Sequence, residues 1–170
     1  MNKTALALSG LAIFYFSTPV FADVHVKFIE GAPKDRFEIL NVGTCDLEAA
    51  DLTIDFAASN AGLIFDVTNS GAGVEVFQPF EVTAGAQYLK SLPTISDGDQ
   101  RATLSMIGLE RNETIAFTID VDDTNGSREI TVTDGEIRGA KVSLVSNNVE
   151  YSAIIGSNSK AIINTAFCDA

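Results

Sequence analysis

The chain has 170 residues, 46% of them hydrophobic and 20% charged, a composition that excludes a disordered chain and favours one folded domain. Its 23 acidic and 11 basic residues give a formal net charge of -12, so no positive surplus exists to neutralise the phosphates of a nucleic acid. One histidine and two cysteines leave little for a histidine base or a Cys/His zinc site.

Residues 1–22 have the pattern of a secretory signal peptide. A positive start precedes an apolar stretch at 5–16, and residues 20–22 form a small-x-small cleavage site. The apolar stretch is shorter than the roughly 20 residues that a membrane span needs, and no second long apolar run follows. We therefore predict a secreted or periplasmic protein with a single domain over 23–170 and no membrane span after cleavage.

Short segments of alternating apolar and polar residues follow, and Val24-His25-Val26-Lys27-Phe28 is the first of them. This period of two is typical of strands with one buried face, and turn residues such as Asn147-Asn148 separate the segments. No amphipathic helix is predicted, and residues 44–51 could form one turn at most. About ten short strands predict an all-β fold, an antiparallel β-sandwich of immunoglobulin-like or jelly-roll-like type. The predicted strands are 24–28, 36–41, 52–56, 63–67, 74–81, 102–108, 117–121, 130–133, 139–145, 150–155 and 160–166.

The two cysteines, Cys45 and Cys168, are predicted to form an intramolecular disulfide, because an exported protein folds in an oxidising compartment. Such a long closed loop could add up to about 5 kcal/mol in the chain-entropy model. Two buried free thiols are the alternative. A redox role is not indicated, because the sequence has no Cys-x-x-Cys motif.

The densest polar cluster is the segment 120–125, Asp-Val-Asp-Asp-Thr-Asn. Asp120 and Asp122 fall on one face of a predicted strand, because side chains alternate along it. Carboxylate and carbonyl oxygens are the ligands of Ca²⁺, but the segment lacks the glycine and glutamate positions of an EF-hand loop. We therefore predict a Ca²⁺ site at a strand end, completed by other loops. The predicted metal ligands are Asp120, Asp122 and Asp123, with Asp66 and Glu75 as weaker partners, and further candidate acids are Asp97, Asp99 and Glu129.

The same cluster also fits a solvated hairpin. Asn125-Gly126 favours a primed two-residue turn, acidic residues beside a turn guard a sheet edge, and Arg128 could then balance their charge. Asp97-Gly98-Asp99 has the pattern of an ordinary β-turn.

A second group of charges follows the first predicted strand, at residues 30–36. Glu30 and Asp35 could act as the carboxylate pair of a polysaccharide-active enzyme, and a salt-bridged loop is the alternative. The sequence has neither a Gly-x-Ser-x-Gly elbow nor a phosphate-binding Gly-Lys-Ser/Thr. Catalysis is therefore not predicted, and this enzyme remains the least favoured interpretation.

Five blocks of the chain resemble the aggregation-factor core proteins, known from the core of the sponge cell-aggregation proteoglycan and from related exported bacterial proteins. The blocks are Phe28-Ile29-Glu30-Gly31-Ala32-Pro33-Lys34-Asp35-Arg36-Phe37, Asn41-Val42-Gly43-Thr44-Cys45, Gly62-Leu63-Ile64-Phe65-Asp66-Val67-Thr68, Gly71-Ala72-Gly73-Val74-Glu75-Val76-Phe77-Gln78-Pro79-Phe80 and Phe117-Thr118-Ile119-Asp120-Val121-Asp122-Asp123-Thr124.

The resemblance implies a β-rich extracellular module in Ca²⁺-dependent adhesion or self-association, with glycans attached or recognised. It implies no catalysis. This chain differs in being one short domain without repeats or an anchor. The alternative function is an exported structural or protein-partner-binding domain that needs no metal.

Overall fold

The computed structural model describes residues 21–70, 77–124 and 132–167, and this part of the chain is built of antiparallel strands. The strands are β1 (Phe21–Ile29), β2 (Asp35–Asn41), β3 (Ala50–Asp55), β4 (Ile64–Asp66), β5 (Glu81–Ala84), β6 (Arg101–Met106), β7 (Thr114–Asp122), β8 (Lys141–Ser146), β9 (Val149–Ile154) and β10 (Lys160–Phe167). The predicted all-β sandwich is confirmed.

Two sheets make up the sandwich. The first sheet has the order β10-β1-β2-β7-β4, and β5 also pairs with β7. The second sheet has the order β6-β3-β8-β9. Strand β7 is therefore an interior strand of the first sheet: it pairs with β2 on one side and with both β4 and β5 on the other.

The core lies between the sheets and is rich in phenylalanine. Strand β2 alternates buried and half-buried residues along its length, as period-2 patterning requires. The rings of Phe37 and Phe117 stack across β2 and β7 with centroids 5.1 Å apart, and Phe37 also lies 6.4 Å from Phe56, which follows β3 of the second sheet. Each fully buried side chain of this size contributes about 1.5–3 kcal/mol, so these contacts join the two sheets.

Two predicted strands, 74–81 and 130–133, are described only in part, and most of the described residues in them are not in a strand. Within predicted strand 74–81, residues 77–80 are irregular and the strand begins at Glu81, because Pro79 has no N–H to donate to a ladder. Within predicted strand 130–133, only residues 132 and 133 are described, and they are not in a strand.

A short helix, α1 (Asp134–Ile137), follows instead. Its start is a capping box, in which the Thr133 backbone N–H donates to Glu136 Oε2 at 2.7 Å. The spacing Thr-x-x-Glu, here Thr133 and Glu136, is the sequence signal for such a start. A three-residue 3₁₀ helix spans Ala86–Tyr88, and residues 44–51 contain no helix.

The predicted turn at Asn147-Asn148 is confirmed as a two-residue hairpin loop between β8 and β9. Both residues have positive φ, 50° and 63°, as a primed turn requires. Asn147 Nδ2 also donates to Glu48 Oε2 at 2.7 Å, which fixes the tip of the hairpin against the loop before β3.

Cys45 is half-buried against the core and is not a free thiol. Its predicted partner, Cys168, lies outside the described residues, so the Cys45–Cys168 pairing stays a prediction. The predicted signal peptide lies outside them as well, except for Phe21 and Ala22, which belong to β1. No helix within the described ranges is long and apolar enough to cross a membrane.

Candidate metal centre

Strands β7 and β4 carry acidic residues on the sheet face that points away from the core. Phe117, Ile119 and Val121 of β7 belong to the hydrophobic core, so Asp120 and Asp122 emerge on the opposite face. In β4, Phe65 points into the core and Asp66 away from it. The register places Asp66 directly opposite Asp120, and Ile64 opposite Asp122.

These three aspartates, Asp66, Asp120 and Asp122, form the aspartate cluster. One carboxylate oxygen from each lies within 4.8 Å of the others. The three residues are only 0%, 5% and 7% exposed, although they sit on the outer face of the sheet. Burial together with this spacing distinguishes the cluster from acidic residues that decorate a solvated surface.

The electrostatics of the cluster oppose full ionisation. Burial, the largest cause, and the neighbouring charges of Asp122 and Asp66 together raise the pKa of Asp120 to about 7. Asp120 Oδ2 is buried and accepts no hydrogen bond from the described residues. A buried carboxylate oxygen in this state is costly unless a proton or a cation neutralises it.

Asp35, at the start of β2, is another buried carboxyl, and it lies near enough to Asp120 for their charges to interact. Burial is the main cause that raises the pKa of Asp35 to about 8. The charge of Asp120 also raises this pKa, whereas the hydrogen bond from the Gly31 backbone lowers it. The Gly31 N–H donates to Asp35 Oδ1 at 3.0 Å. Asp35 is therefore a second carboxyl whose ionisation burial opposes, and its proximity to Asp120 was not indicated by the sequence pattern.

The Asp97-Gly98-Asp99 segment is a β-turn, as predicted. The Asp99 N–H donates to the Ser96 carbonyl at 3.0 Å, and Gly98 has a positive φ of 83°. This turn lies against β4 on the side away from β7, since the Phe65 N–H donates to the Asp99 carbonyl at 2.8 Å. Asp97 and Asp99 thus contact the strand that carries Asp66 but are not part of the aspartate cluster.

The structure brings together only some of the predicted metal ligands. Asp120, Asp122 and Asp66 converge, although Asp66 was a weaker partner in the sequence argument. Asp123 follows the last residue of β7, is half-buried and does not belong to the cluster, because the strand alternation turns it to the other side. Glu75, Glu129 and the Asn125-Gly126 turn with Arg128 lie outside the described residues.

Glu30 and Asp35, the alternative catalytic pair, differ sharply in exposure. Glu30 is exposed, whereas Asp35 is 1% exposed and binds the Gly31 backbone. The two groups are near enough for the charge of Glu30 to raise the pKa of Asp35. A glycosidase needs both carboxyls to reach the same bond of a substrate, and a sealed Asp35 does not offer that access.

The oxygen atoms of the aspartate cluster indicate which kind of metal ion it could bind. Three carboxylates are hard oxygen donors, which suit Ca²⁺ or Mg²⁺ rather than Zn²⁺. Ligand oxygens lie 2.3–2.6 Å from Ca²⁺, so two of them can be up to about 5 Å apart on one ion. The spacing within the cluster therefore allows all three carboxylates to reach one Ca²⁺ ion.

Comparison with known proteins adds little to this picture. No family model matches the chain, and no curated protein matches it. Two solved structures of the GH20 exo-β-N-acetylglucosaminidase from Vibrio harveyi, one with N-acetylglucosamine and one an inactive mutant, are similar at 19% and 16% identity. Each match covers 80% of this chain but only 17% of the enzyme, with TM-scores of 0.32 and 0.31. Likeness at this level carries no argument about function.

Proposed function

We propose that this chain is a non-catalytic, exported β-sandwich module that holds one Ca²⁺ ion between β4 and β7. Its role is attachment at a cell surface or in a matrix, through self-association and glycan recognition. The observation that supports the metal is the buried aspartate cluster, whose oxygens lie within 4.8 Å of one another. A divalent cation there would neutralise charge that the fold otherwise has to protonate.

The ion would support the fold rather than bridge to a partner. Asp66, Asp120 and Asp122 are each less than 10% exposed, so the described side chains leave little of a bound ion for an outside ligand. Bound between β4 and β7, it would tie a three-residue end strand to its neighbour β7, a nine-residue strand of the first sheet. Extracellular modules bind Ca²⁺ with dissociation constants of roughly 10⁻⁴–10⁻³ M, which suits an exported protein.

The deciding experiment is a thermal melt of residues 23–170 in EDTA, in millimolar Ca²⁺ and in millimolar Mg²⁺. Millimolar Ca²⁺ is about 1–10 times a Kd of roughly 10⁻⁴–10⁻³ M, and a ligand that binds only the folded state then stabilises it by about 0.4–1.4 kcal/mol. For a domain of this size, we expect Ca²⁺ to raise Tm by several degrees and Mg²⁺ to raise it less. Equal Tm in Ca²⁺ and EDTA would exclude the metal centre.

The matched variant is Asp120→Asn with Asp122→Asn, which keeps side-chain size and removes two charges. We expect this double variant to lose the Ca²⁺-dependent rise in Tm. Unchanged Ca²⁺ affinity would show that the ion binds elsewhere. Asp55→Asn is a suitable control, because Asp55 lies on the outer face of the second sheet and pairs with Arg101.

The attachment role needs its own measurement. The resemblance to aggregation-factor core proteins supports it, and sedimentation velocity with and without Ca²⁺ tests self-association directly. Beads coated with residues 23–170 should aggregate in Ca²⁺ and disperse in EDTA. Monomeric protein and dispersed beads under both conditions would contradict this part of the proposal while leaving the metal centre intact.

A protein-binding module without metal is the second candidate, and an open groove favours it. The groove, of about 500 Å³, lies on the outer face of the second sheet, where Asp51, Ile107, Val145 and Asn148 line it. Ile107 and Val145 are 60% and 41% exposed and line the same groove, and neighbouring exposed apolar side chains can mark a protein-binding site. If this candidate is correct, Ile107→Asp weakens self-association equally in EDTA and in Ca²⁺.

A further inference from the structure

Asp97 binds the chain immediately after Asp66. The backbone N–H groups of Val67 and Thr68 donate to Asp97 Oδ1 at 2.8 and 2.9 Å, and the Thr68 hydroxyl donates to Asp97 Oδ2. The hydrogen bond from Thr68 is the main cause that lowers the pKa of Asp97. One ionised side chain thus holds two consecutive residues.

Strand β4 depends on this turn because it is short. Its three residues form a ladder with β7 on one side only, and Asp66 is the last of them. On the other side, the Phe65 N–H donates to the Asp99 carbonyl at 2.8 Å, and the Gly98 N–H donates to the Phe65 carbonyl at 3.0 Å. On this same side, the Asp97 side chain accepts the Val67 N–H. Phe65 and Val67, the residues before and after Asp66, are therefore both hydrogen-bonded to the turn.

We propose that Asp97 is a positioning residue of the metal centre, which holds Val67 and Thr68 so that the Asp66 carboxylate stays opposite Asp120. This inference rests on the proposed Ca²⁺ site. Ligands that converge on an ion must be ordered before it binds, and a frayed strand end would have to lose conformational freedom at that moment. Residues that orient metal ligands typically change metal affinity about 10–100-fold when they are removed.

Calorimetric titration with CaCl₂ tests the role of Asp97 on three folded proteins: the wild type, Asp97→Ala and Asp97→Asn. Asp97→Ala removes all three hydrogen bonds, and we expect its Kd for Ca²⁺ to rise at least about tenfold. Asp97→Asn loses the same charge but keeps an oxygen for the two backbone N–H groups. Its amide can donate to the Thr68 hydroxyl oxygen, and the hydroxyl proton can then go to the Ser70 carbonyl, which lies 2.7 Å from that oxygen. We therefore expect Asp97→Asn to keep the wild-type Kd.

Asp99→Ala is the matched control in the same turn. The Asp99 side chain accepts only the Ser96 N–H among the described contacts, and its backbone carbonyl still serves Phe65. We expect the Kd of this variant to equal that of the wild type. Should Asp97→Ala fail to fold, Thr68→Val removes one of the three bonds, and a several-fold weaker Ca²⁺ affinity is expected.

The outcomes separate the two proposals. Wild-type affinity in Asp97→Ala or in Thr68→Val would overturn the role of Asp97 and leave the Ca²⁺ site standing. Equal weakening in Asp97→Ala and Asp97→Asn would also overturn it, because charge rather than positioning would then be responsible. Absence of Ca²⁺ binding in the wild type would overturn both proposals.

Discussion

On the outer face of the second sheet, each of two carboxylates is paired with a solvent-exposed cation, whereas on the outer face of the first sheet three carboxylates are buried together. Asp55 contacts Arg101 at 2.6 Å, and Glu150 contacts Lys141 at 2.8 Å, with the cationic side chains 72% and 43% exposed. The aspartate cluster is less than 10% exposed at every member. Burial and spacing, rather than the number of acidic residues, therefore decide where charge is costly.

The largest expected effect of this difference is on how the stability of the folded state depends on pH. Burial raises the pKa values of Asp35 and Asp120 to about 8 and about 7, so the folded state holds these protons more tightly than the unfolded chain. The resulting stability is fully present below about pH 4 and is lost as pH rises through 7 to 8. Since one pKa unit corresponds to about 1.4 kcal/mol, the free energy of unfolding should fall by several kcal/mol over this pH range.

Calorimetric melts in EDTA between pH 4.5 and 8.5 check this prediction. We expect Tm to fall with rising pH in EDTA and to fall less in Ca²⁺, because the cation binds the ionised carboxylates. The Asp35→Asn variant should show a shallower fall at the alkaline end. A Tm that rises across the range in EDTA would contradict the raised pKa values.

Replacing one buried carboxylate should have the next largest effect, with a sign that depends on the cation. At pH 8.5 in EDTA, Asp120→Asn removes a desolvated charge and its repulsion with Asp66 and Asp122, so we expect stabilisation by about 1–3 kcal/mol. In Ca²⁺ the same variant should be less stable than the wild type. Urea unfolding under both conditions measures the two differences.

If Asp120→Asn is less stable than the wild type in EDTA, the aspartate cluster stabilises the fold without any cation. The comparison variant is Asp55→Asn, which loses an exposed pair. We expect it to cost at most about 1 kcal/mol, equally with and without Ca²⁺.

The smallest expected effect concerns the solvent-exposed pairs themselves. Arg101→Ala should destabilise by about 0.2–1 kcal/mol at low salt, and the difference should shrink in 1 M NaCl because salt screens exposed charges. Urea unfolding at two salt concentrations measures it. A loss above about 2 kcal/mol would show that burial does not distinguish the two faces.

Much of the fold could be predicted from local patterns. Strands β2, β8, β9 and β10 match their predicted segments within two residues at each end, because alternation and turn residues act over short distances. The errors arose where one residue overrides a pattern: Pro79 delays β5, and Thr133 begins a helix within a predicted strand. Part of the candidate metal centre could also be predicted from local sequence, since Asp120 and Asp122 share a face through the two-residue period of β7.

Local patterning in the chain is enough to make Asp120 and Asp122 neighbours on one strand face and to give β-strands with an apolar interior. The position of Asp66 opposite Asp120 follows from long-range pairing, because it depends on the register between β4 and β7. The burial of the cluster and the contact of Asp97 with Val67 were decided in the same way. Register and burial depend on which segments pair, and side-chain packing across the whole domain selects that pairing.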